Sequence, residues 1–294
     1  MINYSCPLCG SKKYVKISVK SSSEVIHDYK RMFNVDVEKF FPEKTFESLK
    51  CVVCDLQSYH TVIPGDSGFY DQMQMHSFYY EPDKPEFVFA LEKIMEVSPK
   101  RILEIGCGEG LFLQRIKNAY DVSCSEFSEK SIEKLKKAGI RFDEKNDKYD
   151  FVMTFQVLEH VSDAHGFLEH AVSKLEEGGY LLVSVPNNDS KYFQTGFTPI
   201  LDFPPHHVTR WSKKSLENIS RRFDLDIIDY YEEPLRIEHL QGMISIRRNI
   251  ITGNKKTHRL VEKIAKLIDR IILPYAIDKV DYPGLTHAVL MKKR

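Results

Sequence analysis

This chain has no excess of positive or negative charge. Across 294 residues Lys and Arg number 42 and Asp and Glu number 42, so the formal net charge is zero. That balance removes any global attraction to nucleic acid or to an anionic membrane, leaving a local basic patch as the route to such partners. Long apolar runs are missing too. No uninterrupted stretch approaches the roughly 20 residues a membrane span needs, and the N-terminus MINYSCPLCG has no charged segment leading into an apolar one. Internal repeats and low-complexity segments are absent, and a hydrophobic content of 42% excludes disordered and collagen-like classes. The expectation is a cytoplasmic protein with a sizeable core, in one large domain or one domain with a small attachment.

Cysteine is scarce but patterned. Four of the six form two Cys-x-x-Cys pairs, Cys6 with Cys9 and Cys51 with Cys54. In a reducing compartment that spacing favours metal over disulfides, and four thiolates are the complement of a closed tetrahedral zinc site. Such a site leaves no vacant role for redox chemistry. The forty-one residues between Cys9 and Cys51 are enough for an inserted helix, with Arg31–Phe41 (RMFNVDVEKFF) the obvious piece. Two roles stand open for this module, a folding staple or a cover for a binding site. Cys107 and Cys124 stand apart and read as small hydrophobes.

Three segments follow from the punctuation: a cysteine module over 1–63 ending at Pro64-Gly65, an aromatic linker and helix over 64–98, and a main domain over 99–294. The linker carries FYDQMQMHSFYY (Phe69 to Tyr80), then a helical pattern with Phe87, Leu91, Ile94 and Met95 on one face. From Lys100 strands alternate with helices. Strands are expected over Arg101–Ile105, Val122–Cys124, Phe151–Phe155 and Tyr180–Val185, with helices from Leu111 to Lys117, after a Ser128 cap, and over Phe167–Leu175 ended by Gly178-Gly179. That alternation implies an α/β fold, a Rossmann-like doubly wound and mostly parallel sheet with helices on both faces. A helix capped by Ser212 and strands over Asp224–Tyr230 and Thr286–Met291 close the chain. A helical insertion at about 236–280 holds an amphipathic stretch, 259–273, that suits packing on the domain, a dimer interface or a membrane surface.

The run Leu103 to Gly110 (LEIGCGEG) places glycines where a strand meets a helix, letting the backbone approach a ligand and aim free N–H groups at it. The spacing Gly106, Gly108, Gly110 argues against a dinucleotide, whose fingerprint wants its third glycine at Leu111. Glu104, just before the glycines, would repel a pyrophosphate but attract a cation. With these residues on the page, the chain resembles class I S-adenosylmethionine (SAM) dependent methyltransferases, whose first motif is an acidic residue followed by Gly-x-Gly-x-Gly. The resemblance implies that Glu104 faces the cationic methionine portion, with Cys107 lining the loop beside it. It also implies that Glu126, twenty positions after Gly106, takes both ribose hydroxyls, with Phe127 beside it, and that Gln156 in YDFVMTFQVLEHV lies at the methionine end. It covers roughly Pro99 to Val185. Tyr79 or Tyr80 can cap the cofactor, and the charged segment after Arg141 leaves only Asp143 as a mark for the adenine pocket.

The resemblance further implies in-line methyl transfer, in which the protein aligns the acceptor and takes a proton when that acceptor is a hydroxyl. His160, His206 and His207 are the candidate catalytic bases. The loop PPHHVTRWS (Pro204 to Ser212) is similar to the His-containing acceptor loop of small-molecule and sugar methyltransferases. Methyltransferases of polysaccharide and natural-product pathways also carry a Cys-Pro-x-Cys-Gly and Cys-x-x-Cys module, here Cys6, Cys9, Cys51 and Cys54, with zinc implied. The expected acceptor is a hydroxyl on a sugar, sugar nucleotide or secondary metabolite. Ubiquinone-pathway and small-RNA methyltransferases can carry Glu-x-x-Glu-His holding a divalent ion. Here Glu159 and His160 match while Gln156 replaces the first acid, so Glu159, His160 and His206 or His207 are candidate ligands for Mg or a transition metal. Two alternatives remain, an RNA 2′-O-methyltransferase, opposed by the balanced charge, and a SAM-fold binding module without chemistry. Nucleic acid is not the expected partner, and monomer and homodimer both stay open.

Overall fold

The computed structural model describes residues 4–76, 79, 81–190, 199–236 and 283–294. Tyr80, the amphipathic stretch 259–273 and all but the first residue of the expected insertion lie outside them.

The N-terminal part builds an antiparallel sheet in which β1 (Tyr14–Ser21) pairs with β2 (Thr45–Cys51) and β2 with β3 (Gln57–His60). The intervening helix sits earlier than Arg31–Phe41. It is α1 (Ser22–Phe33), which stops because Asn34 turns left-handed at φ 55° and returns its N–H to the Lys30 carbonyl; only a single 3-10 turn, Glu38–Phe40, follows. Each Cys-x-x-Cys forms a knuckle, with Gly10 N–H on the Cys6 carbonyl and Asp55 N–H on the Cys51 carbonyl. A short helix α2 (Ser67–Met73), capped by the Asp66 side chain, packs Phe69 and Met73 against Tyr29, Phe40 and Ile200.

Helix α3 (Pro85–Val97) leads into the main sheet. It buries Glu86, Phe87, Phe89, Ala90 and Ile94, whereas Leu91 and Met95, expected on the inner face, are exposed. The buried stripe is rotated because the small Ala90 lets the helix lie close to the sheet. Next come β4 (Arg101–Ile105), a short α4 (Leu113–Ile116), β5 (Asp121–Ser125), α5 (Glu129–Lys137), β6 (Arg141–Phe142), β7 (Tyr149–Phe155), α6 (Ala164–Ser173) and β8 (Leu175–Pro186). The chain continues through β9 (Thr209–Arg210), α7 (Lys213–Arg222), β10 (Leu225–Pro234) and β11 (Pro283–Lys293). The seven-stranded order is β10-β11-β8-β7-β4-β5-β6. The five strands from β8 to β6 run parallel, and β11 is antiparallel to both of its neighbours. This is the doubly wound, mostly parallel α/β sheet the sequence led one to expect.

Two helix expectations need correction. The turn after Gly110 shortens the expected Leu111–Lys117 helix to α4, and α6 ends at Ser173 rather than at Gly178-Gly179, which lie inside β8. Gly179 is required there by close approach: a Cβ would lie 3.0 Å from the Glu176 carbonyl oxygen and 3.2 Å from that of Tyr149.

Alternation along the central strands splits the core. Leu103, Val152, Leu181 and Val183 face one cluster with α6 and α7, and Ile102, Phe151, Met153 and Leu182 face the other with α3 and α4. Each fully buried side chain of this kind contributes about 1.5–3 kcal/mol relative to exposure. The first cluster also contains Cys6, Leu8, Cys51, Cys54 and Leu56, so the cysteine knuckles share a core with the main sheet. The sheets are also linked directly, because β9 adds antiparallel to β3, Gln57 opposite Arg210 and Ser58 opposite Thr209.

Candidate active site

In a doubly wound sheet ligands bind beyond the carboxyl ends of the strands where the winding reverses. Here that point lies between β4 and β7, and a cavity of about 360 Å³ opens there. Glu104, Gly106, Gly108, Glu126, Gln156 and His206 are among its lining residues.

One half is built from β4, β5 and their loops. Gly106, Gly108 and Gly110 all take positive φ, between 53° and 74°, a region costly for any side chain. A Cβ on Gly106 would also meet Val157 Cγ2 at 2.5 Å. The loop is closed by Glu126, whose Oε2 accepts from Gly108 N–H at 2.7 Å while Oε1 accepts from the N–H groups of Phe127 (2.8 Å) and Ser128 (2.9 Å). Oε1 is thus filled by two donors, and Oε2 keeps a second lone pair for one hydroxyl donor. Phe127 is 69% exposed beside it, and Cys107 and Cys124 are buried in the core cluster containing α3 and α4, Cys107 also reaching the cavity wall.

Glu104 is buried with Oε2 unpartnered among the described atoms, and burial, opposed by Lys84, pushes its carboxyl up to about 8. A cationic ligand would relieve it. Gln156, at φ 55°, donates its side-chain amide to Glu86 Oε1 (3.1 Å) and Ser184 Oγ (3.2 Å). Asp143 pairs with Lys174 at 2.6 Å and accepts from the Tyr149 hydroxyl at 3.0 Å.

The other half brings together residues distant in sequence. His160, from the turn after β7, lies edge-on to His206 (ring centroids 4.5 Å apart) and tilted to His207 (5.0 Å), while His206 and His207, from the loop before β9, stack at 4.6 Å. Their Nδ1 atoms are all engaged, His160 with the His206 carbonyl (2.6 Å), His206 with the Leu201 carbonyl (3.0 Å) and His207 with Asp202 Oδ1 (2.9 Å). Those oxygens accept, so each Nδ1 carries a hydrogen, and a ring in its neutral form has its lone pair on Nε2. Burial pushes His160 down to about 3 and His206 well below the ordinary range. Glu159, buried beside them, has its carboxyl raised to about 7 by desolvation and its Oε2 unpartnered. Tyr70 packs edge-on against His160, and Tyr79 lines the same cavity as the glycine turn with its ring centroid 6.0 Å from that of His206. Tyr80 falls outside the described residues.

A hard divalent ion held by a second carboxylate does not fit this half. Gln156 stands in place of that acid with its amide turned to Glu86 and Ser184, and the donors that converge are three imidazoles, poor ligands for Mg. The four cysteines do fit zinc: their Sγ atoms lie within 4.8 Å of one another, with Cys6–Cys54 and Cys9–Cys51 each at 3.4 Å. A tetrahedron of ~2.3 Å Zn–S bonds has edges of ~3.8 Å. The Cys6 thiol is pushed down to about 5, chiefly by the hydrogen bond from Cys54.

Asp202, Tyr70, Lys84 and Glu86 belong to the site without having been singled out from the sequence. Asp202 carried a signal, since it stands five residues before His207 in the same proline-punctuated loop. Lys84 between two prolines carried none.

The doubly wound sheet, its glycine turn and the acid closing that turn define a class I methyltransferase fold. Residues 77–230 match the methyltransferase domain family, and the chain belongs to that family. Among curated relatives, the ubiquinone biosynthesis O-methyltransferase of Nitrobacter winogradskyi is 25% identical over 143 residues, covering 42% of this chain and 54% of the relative. That of Rickettsia bellii is 23% identical over 176 residues, 53% of this chain and 71% of the relative. The chain thus spans about half the length of the first of these. A SAM-dependent methyltransferase from Archaeoglobus fulgidus superposes with a TM-score of 0.49 at 20% identity, covering 76% of this chain and all of that one.

Proposed function

We propose that the protein transfers a methyl group from SAM to a hydroxyl of a small acceptor. The observation that carries this is the single cavity that puts the glycine turn with Glu104 and Glu126 opposite three imidazoles and Glu159. Glu126 accepts from a ribose hydroxyl on its free Oε2 lone pair, and Glu104, starved of partners, faces the ammonium and sulfonium end. Phe127 offers its ring to the nucleoside, while Cys107 and Gln156 complete the wall. In the transfer step a lone pair on the acceptor oxygen forms the bond to the methyl carbon as the carbon–sulfur bond breaks and its electron pair returns to sulfur. The hydroxyl proton passes to a lone-pair group of the imidazole and Glu159 wall, as general base catalysis requires. O-methylation is the activity in the names of the two ubiquinone-pathway relatives, and a cavity of this size suits a small acceptor such as a sugar or secondary metabolite.

Cys6, Cys9, Cys51 and Cys54 hold a structural zinc in this reading. No helix among the described residues is long and apolar enough to cross a membrane.

Calorimetry with S-adenosylhomocysteine tests the cofactor half; binding at micromolar concentration that Glu126→Ala weakens is expected. Labelled methyl transfer to a panel of hydroxyl, amine and thiol acceptors tests the rest, and label found only on nitrogen would refute the hydroxyl assignment.

A further inference from the structure

Helix α3 carries Glu86, Glu92 and Glu96, and the last two face water while Glu86 is 2% exposed. Burial raises its carboxyl, so folding alone would favour an apolar side chain in its place. An acid kept in the core at a cost to folding points to a task elsewhere. Its Oε1 accepts from the Gln156 side-chain amide at 3.1 Å, and the fully buried Ser184 Oγ accepts from the same nitrogen at 3.2 Å. An amide nitrogen has two hydrogens, and these two partners use both.

What remains on Gln156 is its side-chain carbonyl. No other side-chain hydrogen bond of Gln156 is made among the described residues, its Oε1 is not one of the atoms sealed in the core without a partner, and the residue is part of the cavity wall. The oxygen therefore opens on the cavity. The reverse orientation of the amide would set the Gln156 oxygen against the Glu86 carboxylate. The backbone is held as well: Gln156 takes φ 55°, a left-handed conformation that a long side chain adopts only where its surroundings impose it, and its N–H is bound by the Ser184 carbonyl at 2.9 Å. In the adjacent strand Glu104 pairs in register with Met153, so the tip of β7 that carries Gln156 emerges beside Glu104.

We infer that Glu86 is a positioning residue for the cofactor: with Ser184 it clamps the Gln156 amide and so presents the Gln156 carbonyl oxygen to the N–H donors of the ammonium group at the methionine end. This rests on the SAM reading of the cavity. Glu86 does not line the cavity and acts only through Gln156. The two acids then divide the work. Glu104 supplies charge, which attracts a cation from any side, and Glu86 supplies direction, because a carbonyl whose amide is tied down accepts from one side only.

Calorimetry on the full chain with two ligands tests this, S-adenosylhomocysteine and methylthioadenosine, which keeps the nucleoside and sulfur but has no amino-acid end. Glu86→Leu and Gln156→Met are each expected to weaken S-adenosylhomocysteine about 10-fold, the loss of one hydrogen bond to a charged group, and to leave methylthioadenosine unchanged. The double variant is expected to lose about 10-fold again rather than about 100-fold, because one effect runs through the other. Ser184→Ala removes the second anchor without touching a charge; a loss of about two- to threefold, again confined to S-adenosylhomocysteine, is expected and keeps the inference testable should Glu86→Leu not fold. Additive losses in the double variant, equal weakening of both ligands, or an affinity indifferent to these substitutions would each overturn it. An unaltered chain that binds neither ligand would overturn the SAM reading itself, and this inference with it.

Discussion

The four cysteines and the three histidines solve opposite problems. The thiols sit between two knuckles, packed among Tyr4, Leu8, Leu49 and Leu56, with all four donors turned on one another and no open side. The imidazoles are held from behind by Leu201, Asp202 and the His206 carbonyl, and open onto a cavity. A closed thiol set suits a role in folding, and an open imidazole set is poised for a ligand. The same chain keeps both because different loops build them.

Breaking the closed set should have the largest effect. Zinc bound by such a tetrad supplies on the order of 10 kcal/mol of folding free energy, so Cys51→Ser or strong chelation should unfold the N-terminal part, seen as lost zinc and a steep drop in thermal midpoint. An unchanged midpoint would make the tetrad dispensable. Breaking the open set should spare the fold and remove the reaction. His206→Ala is expected to lower the methyl-transfer rate about 10²- to 10⁴-fold with cofactor affinity nearly unchanged; a parallel loss of affinity would show that the halves of the cavity are not separable.

Smaller effects sharpen the cofactor half. Glu126→Ala should weaken S-adenosylhomocysteine by about 1.5–3 kcal/mol in calorimetry, the range for hydrogen bonds to a charged group. Glu104 should give a pH signature. Its carboxyl holds a proton to about pH 8 in the cofactor-free fold against an ordinary 4.5, so between those values the folded chain binds more protons than the unfolded one. Stability therefore falls as pH rises through that window, by up to ~1.4 kcal/mol per pH unit, and Glu104→Gln should flatten the curve in denaturant titrations. A bound sulfonium favours the ionised form, so SAM affinity should rise with pH up to about 8 in the native protein and not in the variant.

The cofactor half was legible because its demands are local. A strand, a turn of positive-φ residues and an acid at the next strand's end are written in consecutive residues from Glu104 to Glu126. The imidazole half was legible only as residue types. His160 and the His206-His207 pair were candidates, but their packing and shared Nδ1 anchoring depend on backbone carbonyls, which have no letter in a sequence. Gln156 could be read as a lost ligand, while its hydrogen bond to Glu86 required α3 to be placed first. The misread face of α3 has a similar origin, since a hydrophobic stripe cannot show that Ala90 rather than Leu91 approaches the sheet. Gly178-Gly179 looked like a helix stop because one of the tight carbonyls that demand glycine, that of Tyr149, comes from the neighbouring strand, and the other, that of Glu176, approaches only once β8 has formed.

The two-residue strand β9 begins two positions after His207 and hydrogen-bonds to β3 of the cysteine sheet. The loop bearing two of the three imidazoles is therefore hung from the part of the molecule that zinc would hold together. If the cysteines hold zinc, a chelator that strips it is expected to silence the protein whether or not its chemistry uses a metal, because the loop bearing His206 and His207 loses its anchor.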